Sequence, residues 1–262
     1  MKSVAAVYHS RSDAEQAVVA AQSVDIPTDK IIVLTPADIE HKRVSNRLLG
    51  DEQTNPVWDV PWKTERPSNL VGMPSFVAVI PGVGKTTAVG LLGAALLITA
   101  GEAAGAFADA SFEDPAIEAI FECEMFLYEH VLRHGGSVVI VIAEEAAADH
   151  FLLLSHSNGA QSIDDVSNQW WSALRNSEKA DYATLHRNFS EDEKFYRLGF
   201  EASLHARTRC KEYDQVIGEM TAKFEDVQRQ FPNTNIEEPF TRGYERGRNY
   251  YQGLCNQCTS AL

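Results

Sequence analysis

The pattern of apolar positions near the start of the chain predicts a strand, a helix and a second strand. The apolar run from Lys2 to Tyr8 is short and suits a buried strand, as does Lys30 to Leu34. Between them, Ser12 and Glu15 have the spacing of a helix-capping box. The apolar residues after the box recur with helical spacing to about Ser23: Ala14, Ala17, Val18 and Ala21. These elements make one βαβ unit.

A second unit of the same kind follows far downstream. Ser137 to Ala143 is rich in β-branched residues, which favours a strand buried in a sheet. Glu144 then opens a helix, because the positive end of a helix favours acidic residues, and Asn158-Gly159 ends it. Ala160 to Val166 is predicted as the last strand. Two such units predict an α+β fold: a ferredoxin-like βαβ-βαβ sandwich, with two helices on one face of an antiparallel sheet of four strands.

The same pattern divides the chain into two regions. Residues 1–168 form the predicted ferredoxin-like domain, with a Gly/Ala-rich helical insert at 70–134 between its second and third strands. Residues 169–262 form a mainly helical, aromatic-rich C-terminal region. Within that region, Phe195 to Glu201 resembles Phe240 to Glu245, since each combines an aromatic residue, an Arg and a Gly–aromatic–Glu sequence. Glycine beside large rings is typical of close helix crossing, so we expect helices to cross there.

The insert carries a stripe of small residues. From Val71 to Gly101 the chain holds a single charge, Lys85, and many Gly and Ala residues. Five small residues have the spacing of one helix face, where they would let another backbone approach closely: Gly90, Ala94, Gly101, Gly105 and Ala108. We therefore expect a buried or self-associating helix and a homo-oligomer, with a partner protein or a membrane as the alternatives. The uncharged run Thr86 to Gly101 is shorter than the roughly 20 residues that span a bilayer core, which disfavours the membrane.

The insert also contains a sequence close to that of a phosphate-binding P-loop. Gly82, Gly84, Lys85 and Thr86 match the end of G-x-x-x-x-G-K-[ST], in which backbone N–H groups surround the phosphates and the Lys reaches them. The first glycine of the motif is replaced by Val79, and Pro81 removes one N–H group. A Gly-rich turn that opens a helix is therefore the favoured interpretation, and a nucleotide site at these four residues is the alternative.

Composition narrows the classes of function. The chain has 262 residues and a net charge of −14, which argues against nucleic acid as a partner. The apolar run at the start is too short for a signal peptide, so we expect a cytoplasmic protein, with membrane association through the Gly/Ala helix as the alternative. No arrangement of residues predicts a catalytic site or a cofactor, and we expect no enzyme activity.

Three groups of residues are candidates for binding sites. Cys255 and Cys258 form a C-x-x-C pair near the end of the chain, but neither a strand-to-helix turn nor further ligands support a redox or metal site. His130 and His134 are one helical turn apart without a third ligand, so no metal is predicted. A last group of Arg and Tyr residues would suit an acidic partner or another copy of the chain: Arg242, Arg246, Arg248, Tyr250 and Tyr251.

Four segments resemble a bacterial protein family, the general stress protein 17M-like or heat-induced stress protein-like group. They are A-V-Y-x-S-R-x-D-A-E-Q-A-V at residues 6–18, I-I-V-L-T-P at 31–36, I-P-G-V-G at 80–84 and F-L-Y-E-H-V-L-R-H-G-G-S-V-V-I-V at 126–141. The resemblance covers about residues 1–166. It implies a stress-associated protein without an established set of catalytic residues. We therefore expect a non-enzymatic protein that acts by self-assembly or by docking to a partner, with membrane association or, less favoured, nucleotide binding as alternatives.

Overall fold

A computed structural model describes most of the chain, and its described residues form two compact units. One unit ends at Ser167 and the other begins at Asn168. The described residues are 1–36, 70, 72–80, 82–100, 124–184, 188–205, 207–209, 211–218, 229–232 and 234–259.

The first unit is built on a six-stranded sheet in which every described pair of neighbouring strands is antiparallel. Its strands, in chain order, are β1 (Lys2–Tyr8), β2 (Ile31–Pro36), β3 (Ser75–Ile80), β4 (Gly84–Val89), β5 (Ser137–Ala143) and β6 (Gln161–Ser162). Their order across the sheet is β3-β4-β2-β5-β1-β6. The predicted α+β fold is confirmed, but the sheet has six strands instead of four.

Helices accompany the strands in the first unit and dominate the described part of the second. They are α1 (Arg11–Ser23), α2 (Gly93–Ala100), α3 (Met125–Arg133), α4 (Glu145–Ser157), α5 (Ile163–Ala183), α6 (Phe189–Leu204) and α7 (Glu237–Thr259). The first turn of α5 belongs to the first unit, and its residues from Asn168 onward belong to the second.

The sheet lies between two layers of helices. On one face, α2 and α3 pack on the even-numbered residues of β5 through buried residues such as Leu96 and Leu132. On the other face, α1 and α4 pack on the odd-numbered residues through residues such as Val18 and Phe151. Because successive strand residues point to opposite faces, β5 contributes to both cores, and all its residues are buried.

Two predicted boundaries of the first unit were wrong, and side-chain capping explains both. Helix α1 is capped by Ser10 and not by Ser12, because the Ser10 Oγ accepts a hydrogen bond from the Asp13 N–H at 3.1 Å. The last strand, predicted to reach Val166, stops at Ser162, and helix α5 begins at Ile163. The Ser162 Oγ accepts from the Asp165 N–H at 3.0 Å, which caps the start of α5 and ends the strand.

The predicted helical insert begins instead with a β-hairpin formed by β3 and β4. The Val83 N–H donates to the Ile80 carbonyl at 3.0 Å, and Gly82 adopts a positive φ of 76°. A positive φ in a tight turn favours glycine, since side chains with a Cβ rarely adopt it. The turn therefore joins two strands, and the prediction that it opens a helix was wrong.

In the second unit, glycines bring α6 and α7 into close contact, as the repeated Gly–aromatic sequences predicted. A Cβ on Gly199 would lie 2.0 Å from the Phe240 carbonyl oxygen, and one on Gly243 would lie 1.9 Å from the Tyr196 carbonyl oxygen. The contact is reciprocal, because each glycine faces the backbone three residues before the other. Aromatic rings fill the space around the crossing, and Tyr196, Phe200 and Tyr244 are fully buried.

Replacement of Gly90 by Ala should destabilise the first unit, because Gly90 has a φ of 120° and its Cβ would lie 2.1 Å from the Ile31 carbonyl oxygen. Gly159→Ala is the matched control, since Gly159 also has a positive φ, of 83°, but has open space around it. Backbone strain costs about 1–3 kcal/mol in each variant. The clash at Gly90 should add about 1–3 kcal/mol. Urea unfolding would measure the difference, and equal losses would show that the close approach to β2 is not real.

The glycine contact of the second unit predicts opposite signs for two substitutions in α7. Gly243→Ala should lower stability by about 1–3 kcal/mol through overpacking. Gly253→Ala should raise it by about 0.5–1 kcal/mol, because nothing lies within 4 Å of Gly253 and Ala favours helix. Denaturant titrations followed by tryptophan fluorescence would measure both, because Trp170 and Trp171 each pack 5.8 Å from the Phe200 ring. A stabilising Gly243→Ala would contradict the contact.

Candidate functional site

The residues predicted for a nucleotide site lie in the hairpin, in a geometry unlike that of a P-loop. Gly82 lies in the turn, whereas Gly84, Lys85 and Thr86 belong to β4. From Thr86 to Val89, β4 pairs with β3 on one side and with β2 on the other. Its backbone N–H groups are therefore committed to the sheet and cannot surround a phosphate. The Thr86 side chain is fully buried, so it does not face a ligand.

The residues predicted for helix packing do not share one helix face. Gly90 precedes α2 and packs against the backbone of β2, so its place in a helical stripe was wrong. Ala94 lies in α2 and is half-buried. Three members of the predicted stripe fall outside the described residues: Gly101, Gly105 and Ala108. Their predicted role in assembly stays a prediction.

The hairpin gives the sheet an uncharged outer strand. Within the part of the chain that the structure describes, β3 pairs only with β4 and ends the sheet on that side. Its sequence, SFVAVI, holds no charge, no Pro and no Gly. The Val79 side chain is 57% exposed, and Leu91, just beyond β4, is 59% exposed. Edge strands are usually protected by charge, proline or a covering element, so this outer edge, which we call the β3 edge, is a candidate docking surface.

Helix α3 fixes the hairpin turn. The Arg133 Nε donates to the Gly82 carbonyl oxygen at 2.7 Å. On the face covered by α2 and α3, Phe76 and Ala78 pack against the core. The opposite face carries Val77, which is half-buried, and Val79, which is exposed. The core and Arg133 thus hold β3 in place from one face. The outer side of its backbone pairs with no described strand.

The arginines predicted to meet an acidic partner bind carboxylates of their own unit. Arg246 contacts Glu178 with two hydrogen bonds of 3.0 Å, and Arg242 contacts Asp181 at 2.7 Å. Glu178 is buried and also accepts a hydrogen bond of 2.7 Å from the Tyr196 hydroxyl. Burial raises the pKa of Tyr196, and the neighbouring carboxylate raises it further, so the hydroxyl stays a donor. These groups stabilise the packing of α5, α6 and α7.

The remaining members of that group are also engaged within the second unit. Arg248 pairs with Glu212, and the Arg209 guanidinium lies 4.5 Å from the centre of the Tyr251 ring. The Tyr250 ring packs 5.6 Å from Phe200.

The predicted weak metal candidates do not form a metal centre in the described residues. No group of three or more His, Cys, Asp or Glu side chains there is placed to hold a metal ion. Cys255 is half-buried, and the side chain of Cys258 lies outside the described residues. The His134 Nδ1 is 2.8 Å from the His130 carbonyl oxygen, so it interacts with the helix backbone.

Comparison with known proteins identifies no relative. No protein-family model, no curated protein and no solved structure matches the chain. Among the described helices, none is both long and apolar enough to cross a bilayer.

Sequence reasoning missed the β3 edge because the sequence Gly84-Lys85-Thr86 suggested a nucleotide motif and the following Gly and Ala residues suggested a helix. The sequence nevertheless contained evidence for both strands of the hairpin. Phe76 to Ile80 is an apolar run with two β-branched valines, and Thr86, Thr87 and Val89 are all β-branched. The Pro-Gly pair between the two runs is typical of a tight turn.

Because His130 in α3 is half-buried, the stability of the first unit should depend on pH. Burial, followed by the charges of His134 and Arg133, lowers the pKa of His130 to about 4. The unfolded chain has the ordinary value of about 6.5, so it binds the proton first as the pH falls. The stabilisation of the neutral imidazole is therefore complete above about pH 6.5 and is lost between there and pH 4.

Unfolding measured at pH 7 and pH 5 tests this dependence. The wild type should lose more stability between these two values than His130→Asn, which cannot titrate. His9→Asn, at an exposed histidine of the same unit, should behave as the wild type does. A loss of the same size in wild type and His130→Asn would refute the role of His130.

Proposed function

We propose that the chain is a non-enzymatic, stress-associated protein that acts by self-assembly through the β3 edge. The observation that carries the proposal is the combination of an uncharged outer strand with the 57% exposure of Val79. An exposed strand edge presents unpaired N–H and C=O groups, which form a template for pairing with another chain. Such a surface supports docking and does not require a substrate.

The strand order supports assignment to a ferredoxin-like arrangement extended by a hairpin. Without β3 and β4, the order is β2-β5-β1-β6, with α1 after β1 and α4 after β5. Two βαβ units interleaved in this way are the ferredoxin-like pattern. On this interpretation, the hairpin extends the sheet beyond β2 and carries the docking edge. The segments that resemble general stress protein 17M-like proteins lie in this unit, and we infer a cytoplasmic setting for it.

Light scattering of the full chain, without detergent, tests self-assembly. The wild type should have a molar mass above the 29.0 kDa of one chain, increasing with concentration. Val79→Lys should weaken self-association at least about tenfold, which corresponds to about 1.4 kcal/mol. The physical reason is that a lysine on an edge strand opposes pairing with another strand.

Val19→Lys is the matched control for this experiment. Val19 is a valine of similar exposure, 47%, but it lies on α1 and away from the β3 edge. The control should assemble as the wild type does. A wild type that stays monomeric at all concentrations would refute self-assembly, and equal weakening by both lysines would refute the assignment to β3.

A further inference from the structure

We propose that the partner of the β3 edge is β3 of a second copy, paired antiparallel with Val77 opposite Val77. This inference rests on the proposed self-assembly and specifies its geometry. The arrangement would be an isologous dimer, in which the same strand contributes from both chains and the two sheets become one.

The backbone of β3 determines which of its residues can pair outward. The Gly90 N–H donates to the Pro74 carbonyl at 2.8 Å, and this pair continues the register in which Ser75 lies opposite Val89. Hydrogen-bonded and non-bonded pairs alternate along an antiparallel ladder. The even-numbered residues of β3 therefore bond to β4, and the odd-numbered residues direct their N–H and C=O groups outward. These outward residues are Ser75, Val77 and Val79.

The outward groups fix the register of self-pairing. An outward residue can bond only to an outward residue of the other copy. With Val77 opposite Val77, Ser75 of each copy lies opposite Val79 of the other, so all outward residues of both strands are paired. A shift by two residues in one direction leaves Val79 without an outward partner in β3. A shift in the other direction leaves Ser75 without a partner in β3, and the next residue in sequence, Pro81, has no N–H to donate.

Side-chain size and charge agree with this register. Opposite residues share one face of a sheet, so Phe76 of one copy would lie beside Ala78 of the other, a large side chain beside a small one. On the other face, the exposed Val79 would lie beside Ser75. No residue of β3 is charged, and Lys85 belongs to the inner strand β4. The net charge of −14 opposes association at long range, so added salt should strengthen the dimer.

Cysteine cross-linking of the full chain tests the register. Under mild oxidation, Val77→Cys should form a disulfide with Val77→Cys of a second copy, because directly opposite residues lie within disulfide range. Val79→Cys is the matched control. In this register, the two cysteines of a Val79→Cys dimer are four residues apart along the paired strands, about 13 Å, and should not join. Mass spectrometry of proteolysed dimers would separate these links from those of the native cysteines.

Each outcome distinguishes this inference from the proposed function. A cross-link at position 77 and none at 79 supports the register, whereas equal cross-linking at both overturns it. A multimer by light scattering without a link at 77 overturns the pairing of Val77 with Val77 and leaves self-assembly standing. A monomeric wild type overturns both.

Hydrogen exchange on the wild type provides a test that needs no variant. The amides of Phe76, Ala78 and Ile80 should be protected at every concentration, because they bond to β4. Those of Ser75, Val77 and Val79 should become protected only as concentration rises. Protection of the odd-numbered amides in a monomeric sample would show that the same chain covers the edge, and would overturn the proposal.

Discussion

The central strand β5 is the constraint on which the first unit depends. Its seven residues are all buried, since helices cover both faces and β1 and β2 pair with its two edges. From Val138 to Ala143, a polar residue would have no water to hydrogen-bond, and an apolar residue of a different size would disturb one of two cores. Because each residue of β5 must face its own core, β5 determines the register of β1 and β2, which pair with it. The register of β2 in turn determines that of β4.

A sheet that grows outward from a buried centre must end on two sides, and here the two ends differ. On one side, the outermost described strand is β6, which has two residues before Ser162 caps α5 and draws the chain into a helix. A very short strand offers little for another chain to pair with. On the other side, the hairpin adds the six residues of β3, all uncharged. The ordinary protection of a sheet edge is thus present at β6 and missing from the sequence of β3.

The parts of the fold that could be predicted from sequence are those with a strong local signal. The strand at Ser137–Ala143 was predicted with the observed bounds, because an unbroken β-branched run has few alternatives. The hairpin could not be predicted with the same certainty. Gly84-Lys85-Thr86 is compatible with a strand or with the start of a helix, and the choice depends on β2, which lies 50 residues earlier in sequence at the Pro36–Thr86 pair. Tertiary pairing decided between two locally acceptable structures.

The same limit explains the arginines of the second unit. Arg246 and Glu178 are 68 residues apart, and nothing in the sequence near either one shows that they meet. Once Glu178 is buried beside Tyr196, removal of the arginine would leave an uncompensated charge, so this arginine is held by its own fold and is not free for a partner. The proposed recognition through the β3 edge has a different basis. It relies on backbone N–H and C=O groups, which every strand has, and its specificity must therefore come from register and from which strand edges are left uncharged.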